Sequence, residues 1–381
     1  MAKQLGLCAA HLISLNWNKP NPHHNLGRIK PPINKPISKL KFKLNPETQL
    51  QQHANLKALA HLEVMKKKQQ KKQLAASSAT DNNIDACWID LYVPEKARPY
   101  AYLLRLYESV APWLVGWPYF LSLAMAAETG ALLDLKMLAR FFLIAFMDRN
   151  ILLTVNDLLD QDIDAKVERT KRRPIAAGLI TTFQGLCFLG IQILIDYGLY
   201  LQLNNLSQKV WILWLTFSFV YPLTKRLTYW SQAYFSMTMH VGAFMSWAAV
   251  KGSFAPANVL FPLYISGFFW TLLYETIYSC QDKEEDEKLG LKSTAILFGD
   301  SIKNWLTGFG IATISGFALT GFNAKLGWPY FASLVVVTSH LIWQIVTVDL
   351  DDPIDCIKKQ MSNKWVGCIL FIGITLGKLL T

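Results

Sequence analysis

The chain has 381 residues, 52% of them hydrophobic and only 17% charged, which is too apolar for the two or three soluble domains its length would otherwise suggest. Its net charge of +11 is confined to residues 1–84, which hold 14 Lys and Arg against three Asp and Glu, while the remainder holds 24 of each sign. The folded part therefore has no basic nucleic-acid-binding surface, and no nucleic acid is expected as a partner. Six cysteines with no C-x-x-C pair and no His at ligand spacing likewise exclude a zinc knuckle or a disulfide scaffold.

Residues 1–84 alternate Lys, Pro, Asn and Gln, include the run KKKQQKKQ from Lys66 to Gln73, and cannot bury a core. They read as a disordered basic tail. The shortage of acids suits an organellar transit peptide, and the alternative is a cytoplasmic arm. Residues 85–381 form the membrane domain. From Val110 on, nine apolar runs recur near the length that crosses a bilayer, at 110–128, 137–158, 181–201, 209–224, 231–250, 259–281, 303–321, 328–348 and 364–381. The fold class expected is an all-α transmembrane bundle. Connections after the even-numbered spans (AKVERTKRRP, KR, DKEEDEKLGLK, DLDDPIDCIKKQMSNK) hold most of the Lys and Arg, so they face the cytosol, or the matrix in a mitochondrion.

The second span ends directly in NDLLDQDID, where Asn156, Asp160 and Asp164 fall at i, i+4, i+8 on one helical face, with Asp157 and Asp162 pointing elsewhere. Like charges one turn apart repel, so this face requires a cation. Arg149 extends the same stripe two turns deeper. The sixth span ends similarly in YETIYSCQDKEEDEKLG, with Asp282 and Asp286 one turn apart. Glu275 lies seven residues earlier on that face, inside apolar sequence, where an ionisable group costs about 2.5–3.5 kcal/mol and ordinarily lines a cavity or pathway. Four spans separate the clusters, so both emerge on one side. Two carboxylate stripes, followed by Arg169, Lys171, Arg172 and Arg173 in one case and Lys288 and Lys292 in the other, suit Mg²⁺ bridging to a polyphosphate. Lys225 and Arg226 after the fourth span, and Arg105 before the first, end on that side too. His240 and His340 read as hydrogen-bonded core residues.

These segments carry a resemblance. NDLLDQDIDAKVERTKRRPIAAG resembles the first signature of the UbiA superfamily of intramembrane prenyltransferases. YETIYSCQDKEEDEKLGLKSTAILFG is similar to the second, in the form found in the 4-hydroxybenzoate polyprenyltransferases of ubiquinone biosynthesis, and YPLTKRLTYWSQ is similar to the segment after the fourth helix. The resemblance covers roughly residues 100–381. It implies nine transmembrane helices around a cavity open laterally to lipid. It implies that Asn156, Asp160, Asp164, Asp282 and Asp286 hold Mg²⁺ and diphosphate, that Arg105, Arg169, Arg173, Lys225 and Arg226 contact the diphosphate, and that Arg149 addresses the carboxylate of the aromatic acceptor. Asp160, Asp164, Asp282 and Asp286 would thus be the catalytic acids. Glu275 is added as a candidate acting on the phenol or on the departing ring proton.

The chain departs from the family pattern in RLYESVAPW, which keeps Arg105 but loses an acid and a Lys, and in RNILLTVN, where Asn150, Ile151, Leu152 and Leu153 replace small residues. His240 stands where Asn is usual and Glu275 where Asp is usual. The expected activity is Mg-dependent transfer of a polyprenyl group from an allylic polyprenyl diphosphate to the carbon ortho to the hydroxyl of 4-hydroxybenzoate. The setting implied is the mitochondrial inner membrane with the site facing the matrix, or alternatively the cytoplasmic face of a bacterial plasma membrane. Besides its substrates and the bilayer, the resemblance admits association with other quinone-biosynthesis enzymes. Competing readings are a different acceptor (another phenolic acid, a naphthoate, homogentisate or haem) and an intramembrane cation transporter. The transporter is disfavoured because the acids sit at one membrane face rather than near the midplane.

Overall fold

The computed structural model describes residues 88–108 and 110–380; the basic tail at 1–84 lies outside the described residues. Among these every element is helical, and nine long helices follow in order. They are α1 (Ala111–Ala126), α2 (Leu135–Leu159), α3 (Thr182–Tyr200), α4 (Asn205–Leu227), α5 (Ser231–Lys251), α6 (Ala257–Ser279), α7 (Ile302–Asn323), α8 (Trp328–Thr347) and α9 (Pro353–Leu379). Four segments, 182–200, 257–289, 294–323 and 328–347, are long and apolar enough to cross a membrane by composition alone. Helix α1 is shorter, at 16 residues, and the remaining long helices carry polar or charged residues, several of them buried.

Local chemistry sets the helix ends. Asp134 caps α2 by accepting from the Lys136 and Met137 amides at 2.8 and 3.2 Å, and Thr181 and Gln184 form a reciprocal capping box on α3. Gly252 closes α5 with φ 65°, a left-handed conformation that glycine adopts without a Cβ penalty. Pro222 removes one intrahelical bond from α4 just before Lys225.

Successive helices pack as neighbours, and α9 lies against α1, α6 and α8, so the chain returns on itself. Helix α5 packs on α1, α4 and α6, and α2 touches α1, α3 and α4. The core is aromatic and aliphatic, with Trp214, Trp247, Trp270, Tyr119 and Tyr330 among its largest buried side chains. Gly242 lets α5 close on α1, because a Cβ there would stand 2.5 Å from Tyr119 Cζ. The ring so placed hydrogen-bonds through its hydroxyl to Asp148 of α2, and Tyr200 of α3 donates to the same Oδ2 at 3.2 Å. Helices α1, α2 and α9 line an apolar groove of about 600 Å³, with Trp113, Trp117, Phe142 and Phe371 in its wall.

Helix α9 begins eleven residues before the apolar run expected at 364–381. Its first turns are polar, yet Lys359 and Asn363 are buried. Lys359 Nζ sits 3.7 Å above the Trp343 ring, and Asn363 Oδ1 accepts from Trp270 Nε1 at 2.8 Å.

Candidate active site

The two acidic ridges and the end of α4 meet at one end of the bundle. At the close of α2 the backbone continues helical pairing past the formal helix end. The Asp160 amide donates to the Asn156 carbonyl at 2.9 Å and the Asp164 amide to the Asp160 carbonyl at 2.7 Å. Asn156, Asp160 and Asp164 therefore lie one above another, and all three are buried. From α4, Lys225 reaches into this face, with Nζ 3.3 Å from Asn156 Oδ1 and 3.2 Å from Asp160 Oδ2 and stacked 5.4 Å from the Tyr221 ring centroid. It also lies within electrostatic reach of Asp286 and Glu275 on the second ridge. The cation that the sequence demanded between like charges is thus supplied in part by the protein.

A second bridge joins the ridges directly. Arg169, in the loop after α2, makes a two-pronged contact with Asp282, Nε to Oδ1 at 3.0 Å and Nη2 to Oδ2 at 2.7 Å. The loop after α6 is tied to α4 as well, since the Lys292 amide donates to the Lys225 carbonyl at 2.9 Å. Asp286, half-buried in the short helix Lys283–Leu289, continues the second ridge beyond Asp282. Burial raises the Asp164 carboxyl, against the pull of Arg173.

Arg173 Nη1 contacts Asp164 at 2.6 Å and Asp157 at 3.2 Å, while Arg105 Nη2 contacts Asp157 at 2.9 Å. Asp157 therefore belongs to the site, although helical spacing points it away from the Asn156 face. It serves as a buried anchor on which two arginines converge. Arg226 occupies the outer rim, paired with exposed Asp162 at 2.7 Å. Arg149 is buried and ion-paired to Glu108 at 2.6 Å. Glu275 accepts from Gln360 Nε2 of α9 at 3.1 Å. His240 is a core residue, its Nδ1 3.1 Å from the Ser236 carbonyl.

Among the described residues no three His, Cys, Asp or Glu close into a ready metal cage. Within the site, Asp160 Oδ1 is buried without a hydrogen bond, the Arg226 guanidinium remaining 3.8 Å away. An unpaired buried oxygen is costly and suits a ligand still to come. An all-oxygen set of this kind matches Mg²⁺, which takes one or two carboxylates, waters and substrate phosphates rather than a protein cage.

Residues 115–367 match the model of the UbiA prenyltransferase family. The chain belongs to that family. Among UbiA relatives, the mitochondrial 4-hydroxybenzoate polyprenyltransferase of Arabidopsis thaliana is 53% identical over 294 residues, 77% of this chain and 72% of that one. A 4-hydroxybenzoate geranyltransferase of Lithospermum erythrorhizon is 48% identical, covering 77% of this chain and 94% of that one. The human mitochondrial 4-hydroxybenzoate polyprenyltransferase is 44% identical, covering 75% and 77%. Of solved structures, an apo UbiA homologue from Aeropyrum pernix aligns at TM-score 0.60 and 19% identity, covering 70% of this chain and 97% of that one. One from Archaeoglobus fulgidus bound to GPP and Mg²⁺ aligns at TM-score 0.54 and 17% identity, covering 74% and 100%. These likenesses establish the UbiA fold for the described bundle.

Proposed function

We propose that this chain is a 4-hydroxybenzoate polyprenyltransferase of ubiquinone biosynthesis, an integral membrane protein of the mitochondrion with its site on the matrix face of the inner membrane. The observation that carries the reading is the convergence of the two ridges, joined by Arg169 to Asp282 and flanked by Lys225 of α4, which pairs with Asp160. The names of the close relatives support the acceptor and the compartment.

In this reading Arg169, Arg173, Lys225 and Arg105, with Arg226 at the rim, turn from their carboxylate partners toward the diphosphate of the prenyl donor. They stabilise the negative charge that grows on the leaving oxygens as the allylic C–O bond breaks. Mg²⁺, for which Asn156, Asp160, Asp164, Asp282 and Asp286 are the fitting ligands, would supply further neutralisation of that leaving group. The isoprenoid tail suits the apolar groove between α1, α2 and α9. Surrounding hydrocarbon excludes water from the allylic cation. Arg149 orients the acceptor through its carboxylate, and the ring carbon ortho to the hydroxyl takes the prenyl group. Glu275, steadied by Gln360, acts on the phenol or receives the ring proton.

Membranes carrying the chain, given 4-hydroxybenzoate, a long polyprenyl diphosphate and Mg²⁺, are expected to yield the ring-prenylated acid by mass spectrometry. Asp160→Ala and Asp282→Ala should each abolish it while protein level and membrane insertion persist. Product retained in both variants overturns the assignment of the ridges.

A further inference from the structure

The cation that the acceptor's carboxylate would use is already held by a carboxylate of this chain. Arg149 Nη2 donates to Glu108 Oε2 at 2.6 Å, and Nη1 donates to the Leu104 carbonyl at 3.0 Å. Among the described residues Glu108 is the carboxylate paired with this guanidinium. The two partners differ in freedom: the Arg149 side chain is 3% exposed and fixed within α2, whereas Glu108 is 31% exposed and stands just before α1. Glu108 also has a second cation beside it, its Oε1 lying 4.0 Å from Arg105 Nε. Arg105 is itself anchored on Asp157 at 2.9 Å, in a backbone conformation (φ 48°) that side-chain-bearing residues rarely adopt.

We propose that Glu108 is a built-in competitor that sets affinity for the acceptor. In the free enzyme its carboxylate occupies Arg149; an aromatic acid enters by exchange, carboxylate for carboxylate, and the displaced Glu108 passes to Arg105. This rests on the reading of Arg149 as the partner of the acceptor's carboxylate. Exchange keeps the buried guanidinium paired throughout, so neither state leaves an uncompensated charge. The competition lowers apparent affinity by the fraction of time that Arg149 is free. Neutral phenols gain nothing from a vacated Arg149, so the effect is confined to acids.

The test is steady-state turnover in membranes with geranyl diphosphate, varying 4-hydroxybenzoate or neutral 4-hydroxybenzamide, for the native chain, Glu108→Gln and Glu108→Asp. Glu108→Gln is expected to lower KM for 4-hydroxybenzoate about tenfold, as for a site free a tenth of the time becoming fully free. It should leave KM for geranyl diphosphate and for the benzamide within about twofold, and Glu108→Asp should stay near the native value because it keeps the competing charge. An unchanged or raised KM for 4-hydroxybenzoate in Glu108→Gln overturns the proposal, as does failure of both variants to accumulate, which would make Glu108 a structural brace. No turnover of 4-hydroxybenzoate by the native chain overturns the acceptor assignment and this proposal with it. Normal native turnover with an unmoved KM overturns this proposal alone.

Discussion

Replacing Asp148 by alanine should destabilise the bundle far more than replacing it by asparagine. Asp148 is fully buried in α2, and its Oδ2 receives the hydroxyls of Tyr119 from α1 and Tyr200 from α3, both rings being buried. Alanine leaves both hydroxyls without their acceptor in a site that water does not reach. Each such group costs about 1–3 kcal/mol, or about 2–6 kcal/mol for the pair. Part of that returns because Tyr200 retains the Met245 sulfur at 2.7 Å and because Asp148 no longer faces a second buried acid, Asp196. A net loss of about 2–4 kcal/mol is expected for Asp148→Ala. Asparagine keeps an acceptor oxygen of nearly the same shape and should cost about 1 kcal/mol. Reversible unfolding in mixed micelles, titrated with a denaturing detergent, reads both values. Adding Tyr119→Phe to Asp148→Ala should recover about 1–3 kcal/mol, since the stranded hydroxyl is then gone. If asparagine is as damaging as alanine, or the tyrosine change recovers nothing, hydroxyl satisfaction is not what Asp148 contributes.

Arg169→Asp should cut turnover about a hundredfold or more, by removing the Asp282 bridge and the proposed diphosphate contact together. Exchange of the pair, Arg169→Asp with Asp282→Arg, should restore membrane-protein stability but not turnover, because the bridge is re-formed with its charges reversed; a thermal melt alongside product assay separates the two effects. Glu275→Gln keeps the shape that Gln360 holds, so abundance should be unaffected while kcat falls by about 10²–10⁴, the usual contribution of a positioned acid or base. Normal turnover with a normal pH profile would remove Glu275 from the phenol and proton steps.

The positions of the spans were legible because apolar runs of bilayer length are hard to disguise. The expected 137–158 and 181–201 lie within two residues of α2 and α3. The start of α9 was not, because CIKKQMSNK reads as a loop until Trp343 and Trp270 are known to receive Lys359 and Asn363. The ridges were readable from helical spacing, and their meeting at one end follows from their separation by four spans. Helical spacing could not anticipate Asp157, whose partners Arg105 and Arg173 come from either side of it in the chain. Asp148 and Asp196 did leave a signal, acids inside apolar runs at MDRN and LIDYG, but the tyrosine and tryptophan donors that receive them lie on other helices.

The placement of α2's partners bears on how the protein is made. A helix carrying Asp148, Arg149 and Asp157 is poorly suited to leave the translocation machinery for lipid by itself. Tyr119, Glu108 and Arg105, each a partner of one of these residues, all precede α2 in the chain and have already emerged from the ribosome when it arrives. Helices α1 and α2 are therefore expected to partition as a hairpin, so a lesion in the short stretch before α1 would register first as a biogenesis defect in its neighbour.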